Sequence, residues 1–288
     1  MDTSSSLLCA NNNLKPFIKW AGGKTQLLNY LDVHIPHNFN NYFEPFLGGA
    51  AFFYHLIKKS KYNSTGFFLS DTNEELINVY TVIKNDIDAL ITSLSNHQMK
   101  YYENQEYFFI LRNSMSKDNV ERASRFIALN KTCFNGLYRV NKKGQFNVPK
   151  GTFKKLPLIC DEYKLRNINL LFKQVNPVIE YKDYKIALSN AKKDDFVYLD
   201  PPYMPVSDTA NFTKYTNKGF SEQDQINLSK TVKELSRREC KVLLSNSDTE
   251  FIRKLYSDFK INEVKANRAI NSKASKRKGH SELIISNY

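Results

Sequence analysis

The chain has 288 residues and carries 42 Lys+Arg against 29 Asp+Glu, a formal net charge of +13 that favours a polyanionic partner. Hydrophobic residues make up 41% of the chain, and no apolar run reaches the roughly 18 residues that span a bilayer, which excludes general disorder and a membrane-spanning protein. Four widely spaced cysteines without a C-x-x-C pair exclude a disulfide framework and a zinc site, so we expect reduced thiols in the cytoplasm.

The first part of the chain alternates between strand-like and helix-like patterns. Residues 1–13 are polar, and we expect a disordered lead-in rather than a signal peptide. The patterns then predict, in order, a helix over residues 25–35, a strand in NYFEPF, a glycine turn in FLGGA, a helix in AFFYHLIKK, a strand in GFFLSD and a helix in NEELINVYTVIKN. Strands that alternate with helices predict an α/β sheet.

The middle of the chain changes character before the alternation resumes. Residues 85–130 have apolar residues at helical spacing, and residues 133–150 place short aromatic segments around a polar KKG turn, which predicts a β-hairpin. Strands are then predicted at 196–200, at 241–246, in INEVKA and in SELIISNY, and helices at 222–237 and from Thr249 to Phe259.

These patterns predict one α/β domain with an insertion. The α/β domain comprises residues 14–80 and 176–288, and the insertion, residues 81–175, is largely helical and carries the hairpin.

The positive charge is concentrated in two segments. Residues 131–166 hold nine Lys/Arg and two acids, and residues 260–288 hold seven Lys/Arg and two acids. Together they account for a net +12 of the +13, which indicates phosphate contacts from two basic elements. Charge alone leaves open a pair of flexible basic loops without a partner. The stretch NSKASKRKGH, residues 271–280, is expected to be a mobile loop that orders on nucleic acid.

The sequence Asp200-Pro201-Pro202-Tyr203 follows the apolar strand FVYL. Asp200 is therefore predicted at the carboxyl end of a strand, where open α/β sheets bind ligands. Two prolines make the turn rigid and remove two N–H groups. The Asp200 carboxylate and a proline carbonyl can then accept from an amino group on a flat ring, while Tyr203 stacks on the face of that ring. The alternative is a strand-ending turn with a solvated Asp200, but the four-residue motif favours function.

The segment FEPFLGGA, residues 43–50, and Asp71 indicate a nucleoside site. Gly48 and Gly49 permit close approach of the backbone to a ligand at a helix N-terminus. Asp71 ends the next strand, about 20 residues on, where an acid can accept from both ribose hydroxyls. Its alternative role is to cap the helix that starts near Asn73. Because G-x-G-x-x-G is absent, the pattern favours a nucleoside cofactor without a diphosphate.

The segment KWAGGK, residues 19–24, precedes the first predicted helix. It matches only half of a phosphate loop, since the upstream glycine of G-x-x-x-x-G-K-[ST] is missing. It contains the only tryptophan of the chain, Trp20. The segment either contributes to a ligand site or is a buried aromatic anchor with two solvated lysines, Lys19 and Lys24.

Taken in order, these motifs resemble those of a known family. FIKWAGGK, FEPFLGG, LSDTNEELIN, FNGLYRVN with GQFNVP, DPPY and LSNSDT resemble the α-group of DNA N6-adenine methyltransferases, that is, the Dam family and especially its DpnII-type modification members. The resemblance runs from about residue 15 to the C-terminus. It implies a Rossmann-like methyltransferase sheet with an inserted helical target-recognition domain that bears the β-hairpin.

The resemblance also implies the reaction and its residues. S-adenosyl-L-methionine would donate a methyl group to adenine N6 in double-stranded DNA, commonly in GATC, and leave S-adenosyl-L-homocysteine. Paired histidine spacing is absent, so no metal is expected. The resemblance assigns the cofactor to Trp20, Lys24, Phe46, Gly48, Asp71 and Asp200, with Asp71 on the ribose. It assigns the active site to Asp200, Pro201, Pro202 and Tyr203.

The DNA-reading residues follow from the same resemblance. Arg139 falls on the position of the guanine-reading arginine, and Asn135 on that of the asparagine that wedges into the duplex. The full set is Lys19, Asn135, Leu137, Arg139, Asn141 and Pro149. Two positions depart from the family pattern, because Ala50 stands where a third glycine is often found and Thr152 replaces a basic phosphate contact. We expect cofactor binding to survive the first change.

The chemistry expected of the motif is direct methyl transfer to a flipped base. Adenine inside a duplex is unreachable, so it must leave the stack. Tyr203 would stack on it, and the Asp200 carboxylate and Pro201 carbonyl would accept its two N–H bonds. Cytosine N4 is an alternative acceptor, and a non-catalytic DNA-binding module is an alternative class; RNA is less favoured. We further expect a monomer associated with the nucleoid, with a cognate restriction endonuclease as a further potential partner.

Overall fold

Seven strands and ten α-helices occur within residues 14–59, 65–204, 220–266 and 280–288, the part of the chain that this computed structural model describes. The strands are Asn41–Glu44 (β1), Gly66–Asp71 (β2), Val178–Tyr181 (β3), Phe196–Leu199 (β4), Lys241–Ser247 (β5), Lys260–Ala266 (β6) and His280–Ser286 (β7). The helices are Leu28–Asp32 (α1), Ala51–Ile57 (α2), Glu74–Asn85 (α3), Ile87–Glu103 (α4), Tyr107–Asn113 (α5), Asn119–Thr132 (α6), Glu162–Val175 (α7), Tyr184–Ala187 (α8), Glu222–Arg237 (α9) and Glu250–Leu255 (α10). In these ranges, no helix combines the length and the apolar character that a bilayer crossing requires.

Residue contacts divide the chain into two units. Unit 1 comprises Met1–Gly23, Gly48–Asn63 and Asn73–Tyr181, and unit 2 comprises Lys24–Leu47, Ser64–Thr72 and Lys182–Tyr288. These units do not coincide with the predicted domains, residues 14–80 with 176–288 and residues 81–175, which stay a prediction. The predicted lead-in, residues 1–13, and most of the predicted basic loop, residues 271–280, lie outside the described residues.

Unit 2 contains the strands that position the predicted catalytic motif. Its six strands follow the order β2-β1-β4-β5-β7-β6 within the sheet. β1 is parallel to β2 and β4, β4 is parallel to β5, and β7 is antiparallel to β5 and β6. Strand β4, FVYL, is a continuous apolar run, and β2 and β5 contain the apolar runs FFL and VLL, as expected for strands covered on both faces. The predicted α/β class is confirmed, and the mixed sheet is consistent with a Rossmann-like methyltransferase fold.

The apolar core of unit 2 lies between the sheet and its helices. Val197 and Leu199 of β4 pack with Val242 and Leu244 of β5 and with apolar side chains of α9. Helix α9 starts at a capping box, because Ser221 accepts from the N–H of Asp224 while the Asp224 carboxylate accepts from the N–H of Ser221. The predicted helix over 222–237 is confirmed at both ends.

Unit 1 is built on helices α3 to α7. Helix α6 packs against α3 and α4, and α7 packs against α3. Three of these helices begin at side-chain caps. Asn73 accepts from the N–H of Leu76, Asp118 from that of Glu121 and Asp161 from that of Lys164. The helical prediction for residues 85–130 is therefore confirmed. Helix α7 and strand β3 were not individually predicted.

The predicted hairpin over residues 133–150 differs from the observed backbone. Its arms meet at two isolated antiparallel bridges, Cys133 with Lys150 and Val140 with Phe146, and not along two strands. A 3-10 turn at Phe134–Gly136 interrupts the first arm, because Asn135 has φ 55° and Gly136 has φ 65°. Left-handed residues do not fit a continuous ladder, so the prediction of two strands was wrong while the pairing of the arms was right.

Two predicted helices are shorter in the structure. The helix predicted over 25–35 consists of a 3-10 turn at Lys24–Gln26 followed by α1, which ends at Asp32. The helix predicted from Thr249 to Phe259 ends at Leu255. In both cases the apolar spacing continues beyond the helix, so periodicity alone overestimates the length.

The N-terminus of α2 stores backbone strain at Ala50. This residue has φ 56° and ψ 29°, the left-handed conformation in which a Cβ meets its own carbonyl. We expect Ala50→Gly to raise the free energy of unfolding by about 0.5–1 kcal/mol, because glycine removes that strain at a smaller entropic cost. Ala51→Gly, one residue into the helix, should lower it by a similar amount. Thermal unfolding of both variants checks the opposite signs, and equal destabilisation would contradict the assignment.

Candidate active site

Asp200 follows β4 directly and lies at the carboxyl edge of the parallel strands. The register pairs Leu199 with Leu244, so the next residues, Asp200 and Ser245, are neighbours at that edge. The Ser245 hydroxyl donates to Asp200 Oδ1 at 3.0 Å. Lys24 Nζ lies 2.6 Å from the same oxygen, in an ion pair whose side chains are 6% and 20% exposed. Lys24 is therefore a buried partner of Asp200 and not a solvated lysine.

Opposing influences act on the Asp200 carboxyl. Burial raises its pKa above the ordinary value, and the nearby Glu282 carboxylate adds to the rise. The Lys24 ammonium and the Ser245 hydroxyl act in the opposite direction. The predicted alternative of a solvated Asp200 does not fit this environment. The structure instead gives a partly buried carboxyl with two donors on one oxygen.

Tyr203 is held at both its hydroxyl and its ring. Its hydroxyl donates to Glu282 Oε2 at 2.7 Å, and Lys24 Nζ lies 4.3 Å from the centre of its ring. Burial and the carboxylates of Asp200 and Glu282 raise the pKa of Tyr203 well above its ordinary value. The phenol therefore stays protonated across the neutral range and acts as a hydrogen-bond donor. Glu282 is a residue of the antiparallel strand β7.

The turn after Asp200 is tied to α9 and β5 by buried side chains. Gln225 Nε2 donates to the Pro202 carbonyl at 3.0 Å, and Asn246 Nδ2 donates to Gln225 Oε1 at 3.0 Å. The Ser247 hydroxyl donates to the Met204 carbonyl at 2.7 Å. The side chains of Gln225, Asn246 and Ser247 are fully buried. The proline carbonyls were predicted to be available as acceptors, but the Pro202 carbonyl already accepts from Gln225.

Asp71 and Phe46, the other predicted cofactor residues of unit 2, lie at or next to the carboxyl edge. Asp71 is the last residue of β2, and its carbonyl accepts from the N–H of Lys182 at 3.2 Å. Phe46 follows β1, and its ring stacks on Tyr184 at 5.4 Å between centroids. The proposed capping role of Asp71 is wrong, because Asn73 caps helix α3. Asp71, Asp200 and Phe46 therefore share one edge of the sheet.

Trp20 and Gly48 belong to unit 1 and contact each other. Gly48 has φ +47°, and a Cβ on it would lie 2.8 Å from Trp20 Cδ1. The Trp20 ring also stacks on Phe126 and Tyr138, at 6.1 and 5.9 Å between centroids. The predicted reason for Gly48 was approach to a ligand, whereas the observed close contact is with Trp20. These contacts support the aromatic-anchor interpretation of Trp20.

One buried side chain links Lys19 to the turn that carries Asn135, and both residues are predicted to contact DNA. Asn130 accepts from the N–H of Lys19 at 3.0 Å and donates to the carbonyls of Lys19 and Gly136, both at 2.8 Å. The stem of Lys19 packs on Gly136, where a Cβ would lie 2.6 Å from Lys19 Cβ. Lys19 and Asn135 are exposed, and both line a cavity of about 240 Å³ with Phe134 and Thr152.

The remaining predicted DNA-contacting residues lie along the segment that follows. Arg139 is exposed, and its Nε donates to Asn147 Oδ1 at 2.8 Å while Nη2 donates to the Asn147 carbonyl at 3.2 Å. Asn141 holds the KKG turn, because its Oδ1 accepts from the N–H groups of Lys143 and Gln145. Pro149 is exposed and Leu137 is half-buried. Asn141 thus has a visible structural role in addition to its predicted one.

Three residues of this site were not singled out from the sequence. Ser245 lies in LSNSDT, and its place beside Asp200 follows from the β4–β5 register. Gln225 is a polar residue on the buried face of α9, and Glu282 is an acid inside the apolar run SELIIS. A polar residue within an apolar pattern was the available signal for Gln225 and Glu282, but it does not identify a partner.

Comparison with known proteins gives the same family as the motifs. Residues 20–270 match the sequence profile of the D12 class N6 adenine-specific DNA methyltransferases. The chain is 43% identical over 292 residues to the Type II methyltransferase M.MjaIII of Methanocaldococcus jannaschii, which covers 96% of this chain and 99% of the relative. It is 40% identical over 282 residues to the Type II methyltransferase M1.LlaDCHI of Lactococcus lactis subsp. cremoris, with 96% of each chain covered.

A third relative carries a different name. The chain is 34% identical over 276 residues to the DNA adenine methylase of Vibrio cholerae serotype O1, which covers 94% of this chain and 95% of the relative. The profile match and the near-complete coverage of all three relatives confirm the predicted class of methyltransferase. The chain belongs to the D12 class of N6 adenine-specific DNA methyltransferases.

Proposed function

We propose that this protein transfers a methyl group from S-adenosylmethionine to N6 of adenine in double-stranded DNA, within GATC. The observation that carries the proposal is the setting of Asp200, whose Oδ1 is held by Lys24 and Ser245 beside two prolines and an oriented tyrosine. This array offers fixed acceptors and an aromatic ring to an exocyclic amine. Membership of an adenine-specific family identifies the amine that best fits it.

The residues present fit S-adenosylmethionine. Asp71 ends β2 at the same sheet edge as Asp200, which suits two ribose hydroxyls that need an acceptor. The Asp200 carboxylate and the Glu282 carboxylate, which accepts from the Tyr203 hydroxyl, place negative charge in this part of unit 2, and negative charge favours a positively charged sulfonium. We assign the cofactor to Lys24, Phe46, Asp71 and Asp200. The family resemblance adds Trp20 and Gly48 to this set. When bound, the cofactor would supply the electrophilic methyl group.

Asp200 and the first proline would bind the amine. Both observed donors use Asp200 Oδ1, so we assign Oδ2 to one N–H of adenine. The Pro202 carbonyl already accepts from Gln225, which favours the Pro201 carbonyl for the second N–H. Acceptance of both hydrogens makes the nitrogen more pyramidal and its lone pair more available. Fixed acceptors need no reorganisation during the reaction, which is how preorganised sites lower barriers.

Tyr203 would receive the flipped base. Flipping costs a few kcal/mol, and stacking on an aromatic ring recovers about 1–3 kcal/mol. The hydrogen bond to Glu282 and the contact with Lys24 fix the plane of the ring. Because the ring is held before the base arrives, little side-chain entropy is lost on stacking.

The DNA-reading assignment rests on unit 1. Lys19, Asn135, Leu137, Arg139, Asn141 and Pro149 are proposed to contact the duplex, with Arg139 on a guanine. Lys19 and Asn135 are exposed, and Asn130 bonds the carbonyls of Lys19 and of Gly136, the residue after Asn135, which supports a shared role in contacting the duplex. The exposed lysines of the same segment, Lys142 and Lys154 among them, would contact phosphate.

The chemistry is tested by labelled methyl transfer followed by mass analysis of nucleosides. Purified protein is incubated with labelled S-adenosylmethionine and double-stranded DNA that contains GATC. We expect label in N6-methyladenine. Label in N4-methylcytosine would indicate the alternative acceptor, and DNA binding without any transfer would indicate a non-catalytic binding module. Single-stranded RNA of the same sequence serves as the control substrate and should remain unlabelled.

Arg139→Ala should relax discrimination at one guanine of the site. A guanidinium bound to guanine contributes about 1–3 kcal/mol of discrimination against other bases. In Arg139→Ala, kcat/KM for the cognate site should therefore come within roughly tenfold of kcat/KM for a site in which that guanine is replaced. Lys142 is an exposed neighbour, and Lys142→Ala should lower kcat/KM for all duplexes alike. The measurement is kcat/KM on a set of duplexes with one base pair changed at a time. A uniform loss for Arg139→Ala would assign this residue to phosphate.

The biological setting is proposed from the relatives. Two of the relatives carry Type II methyltransferase names, which supports a cognate restriction endonuclease acting on the same site. A solitary methylase is the alternative setting, and the third relative is named only DNA adenine methylase. We propose a monomer that acts on chromosomal DNA in the cytoplasm.

A further inference from the structure

We propose that Gln225 is a positioning residue for the catalytic turn, which it holds through the Pro202 carbonyl. The proposal rests on the function proposed above and concerns how its active-site residues are oriented. Gln225 lies on α9, far along the chain from the turn, and its side chain is fully buried. Its Nε2 donates to the Pro202 carbonyl at 3.0 Å. Pro202 lies in the chain between Pro201, which is assigned to the amine, and Tyr203, which is assigned to the base.

The direction of each hydrogen bond in this network is determined by chemistry. A backbone carbonyl can only accept, so Gln225 must present its nitrogen to Pro202 and its oxygen to Asn246. Asn246 must then present Nδ2 to Gln225, at 3.0 Å. Its Oδ1 accepts from the N–H groups of Met204 and Ser247, at 3.4 and 2.8 Å. The side-chain amides of Gln225 and Asn246 therefore form one hydrogen-bond chain. It joins α9 and β5 to the residues on either side of Tyr203, at the Pro202 carbonyl and the Met204 N–H.

This connection compensates for what the two prolines remove. Pro201 and Pro202 have no N–H, so the turn cannot be held by backbone donors of its own at these positions. Gln225 supplies a donor from outside the turn, and Asn246 supplies an acceptor to the N–H of Met204. Because the Pro202 carbonyl already accepts from Gln225, we do not assign it to the amine. The Pro201 carbonyl and the Asp200 carboxylate remain as the two acceptors.

The test replaces the donor with a group that is a donor only when protonated. In Gln225→Glu the buried carboxyl has a raised pKa. Its protonated form keeps both hydrogen bonds, since O–H can donate to Pro202 and C=O can accept from Asn246. Its ionised form cannot donate. The ratio of kcat between variant and wild type should therefore be near one at low pH and fall by about ten- to a hundredfold as pH rises through the new pKa.

Control variants separate positioning from other effects. Gln223→Glu adds the same charge on the exposed face of α9, and its kcat ratio should stay flat with pH. Gln225→Met removes both hydrogen bonds at similar volume, and its kcat should be low at every pH. The KM for S-adenosylmethionine should change less than threefold in all three variants, because the assigned cofactor contacts remain.

Amide hydrogen exchange gives a readout that does not depend on methyl transfer. Exchange at Tyr203 and Met204 should accelerate in Gln225→Met, whereas exchange in β4 and β5 should match the wild type. If the wild type transfers no methyl group, the proposed function fails, and the exchange result still decides the role of Gln225. Wild-type exchange in Gln225→Met together with a flat kcat ratio in Gln225→Glu would overturn the proposal. Failure of Gln225→Glu to fold at low pH would overturn it too, because Gln225 would then be required by the fold as a whole.

Discussion

Replacing Asp200 with asparagine should lower kcat for methyl transfer by about 10²–10⁴-fold while the affinity for DNA stays within threefold. Asparagine keeps the shape and one acceptor oxygen but removes the charge that favours the pyramidal amine. Asp200 is remote in sequence from the predicted DNA-reading residues, which lie in another unit. The measurement is single-turnover methylation at saturating cofactor and DNA, together with a DNA-binding titration.

The pH dependence of the wild type provides a second reading of the same residue. Burial raises the pKa of the Asp200 carboxyl, and the proposed chemistry uses the carboxylate. The rate of methyl transfer should therefore rise with pH through that raised pKa and then level off. Asp200→Asn should lose this acid limb along with the activity. Asp258→Asn, an exposed carboxylate paired with Lys233, is the matched control and should leave both rate and pH profile unchanged. Full activity of Asp200→Asn would end the assignment.

Replacing Lys24 with methionine should lower the free energy of unfolding by about 2–3 kcal/mol at neutral pH. The ion pair with Asp200 joins side chains that are 6% and 20% exposed, so loss of the ammonium leaves a poorly solvated carboxylate. Lys233→Met breaks an ion pair of the same type whose side chains are 41% and 68% exposed. That control should cost less than about 0.5 kcal/mol.

The loss caused by Lys24→Met should depend on pH in a defined direction. Burial already raises the pKa of Asp200, and removal of Lys24 removes the largest opposing influence. A carboxyl whose pKa is higher in the folded than in the unfolded state destabilises the fold as pH rises from the unfolded toward the folded pKa. The destabilisation should thus be small at low pH and full above the folded pKa. Urea unfolding at several pH values measures it.

A double variant checks the cause. Lys24→Met with Asp200→Asn removes both charges, so most of the lost stability should return and its pH dependence should vanish. A loss that is the same at all pH values, or that persists in the double variant, would show that Lys24 contributes through packing of its aliphatic stem.

The sequence predicted the elements whose local pattern is strong. Strand β4 is an uninterrupted apolar run, and the helix predicted over 222–237 has the bounds of α9, so both were located correctly. Asp71 and Asp200 were both identified as candidates because each follows or ends a predicted strand, which places it at the carboxyl edge of the sheet. The glycine in FLGGA was recognised as special, but its neighbour Trp20 was not identified as the reason.

The remainder of the site depends on long-range register. The contact of Asp200 with Ser245 joins residues 45 positions apart, and that of Tyr203 with Glu282 joins residues 79 apart. Neither is visible in local periodicity, because each requires the pairing of separate strands. The hairpin failed for another reason: two consecutive residues adopt left-handed backbone conformations, which aromatic alternation does not signal. The hydrogen bond between Gln225 and Asn246 joins a helix to a strand, so it follows from the packed structure and not from a local sequence pattern.

The most direct test of the central claim is to sequence the methylated positions in DNA treated with the protein and S-adenosylmethionine. DNA that carries no prior methylation should be used, with Asp200→Asn as the inactive control. The proposed function predicts N6-methyladenine confined to GATC, on both strands, and unmodified adenines elsewhere. Methylation of cytosine, methylation of adenine without regard to sequence, or the absence of methylation with an intact cofactor would contradict it.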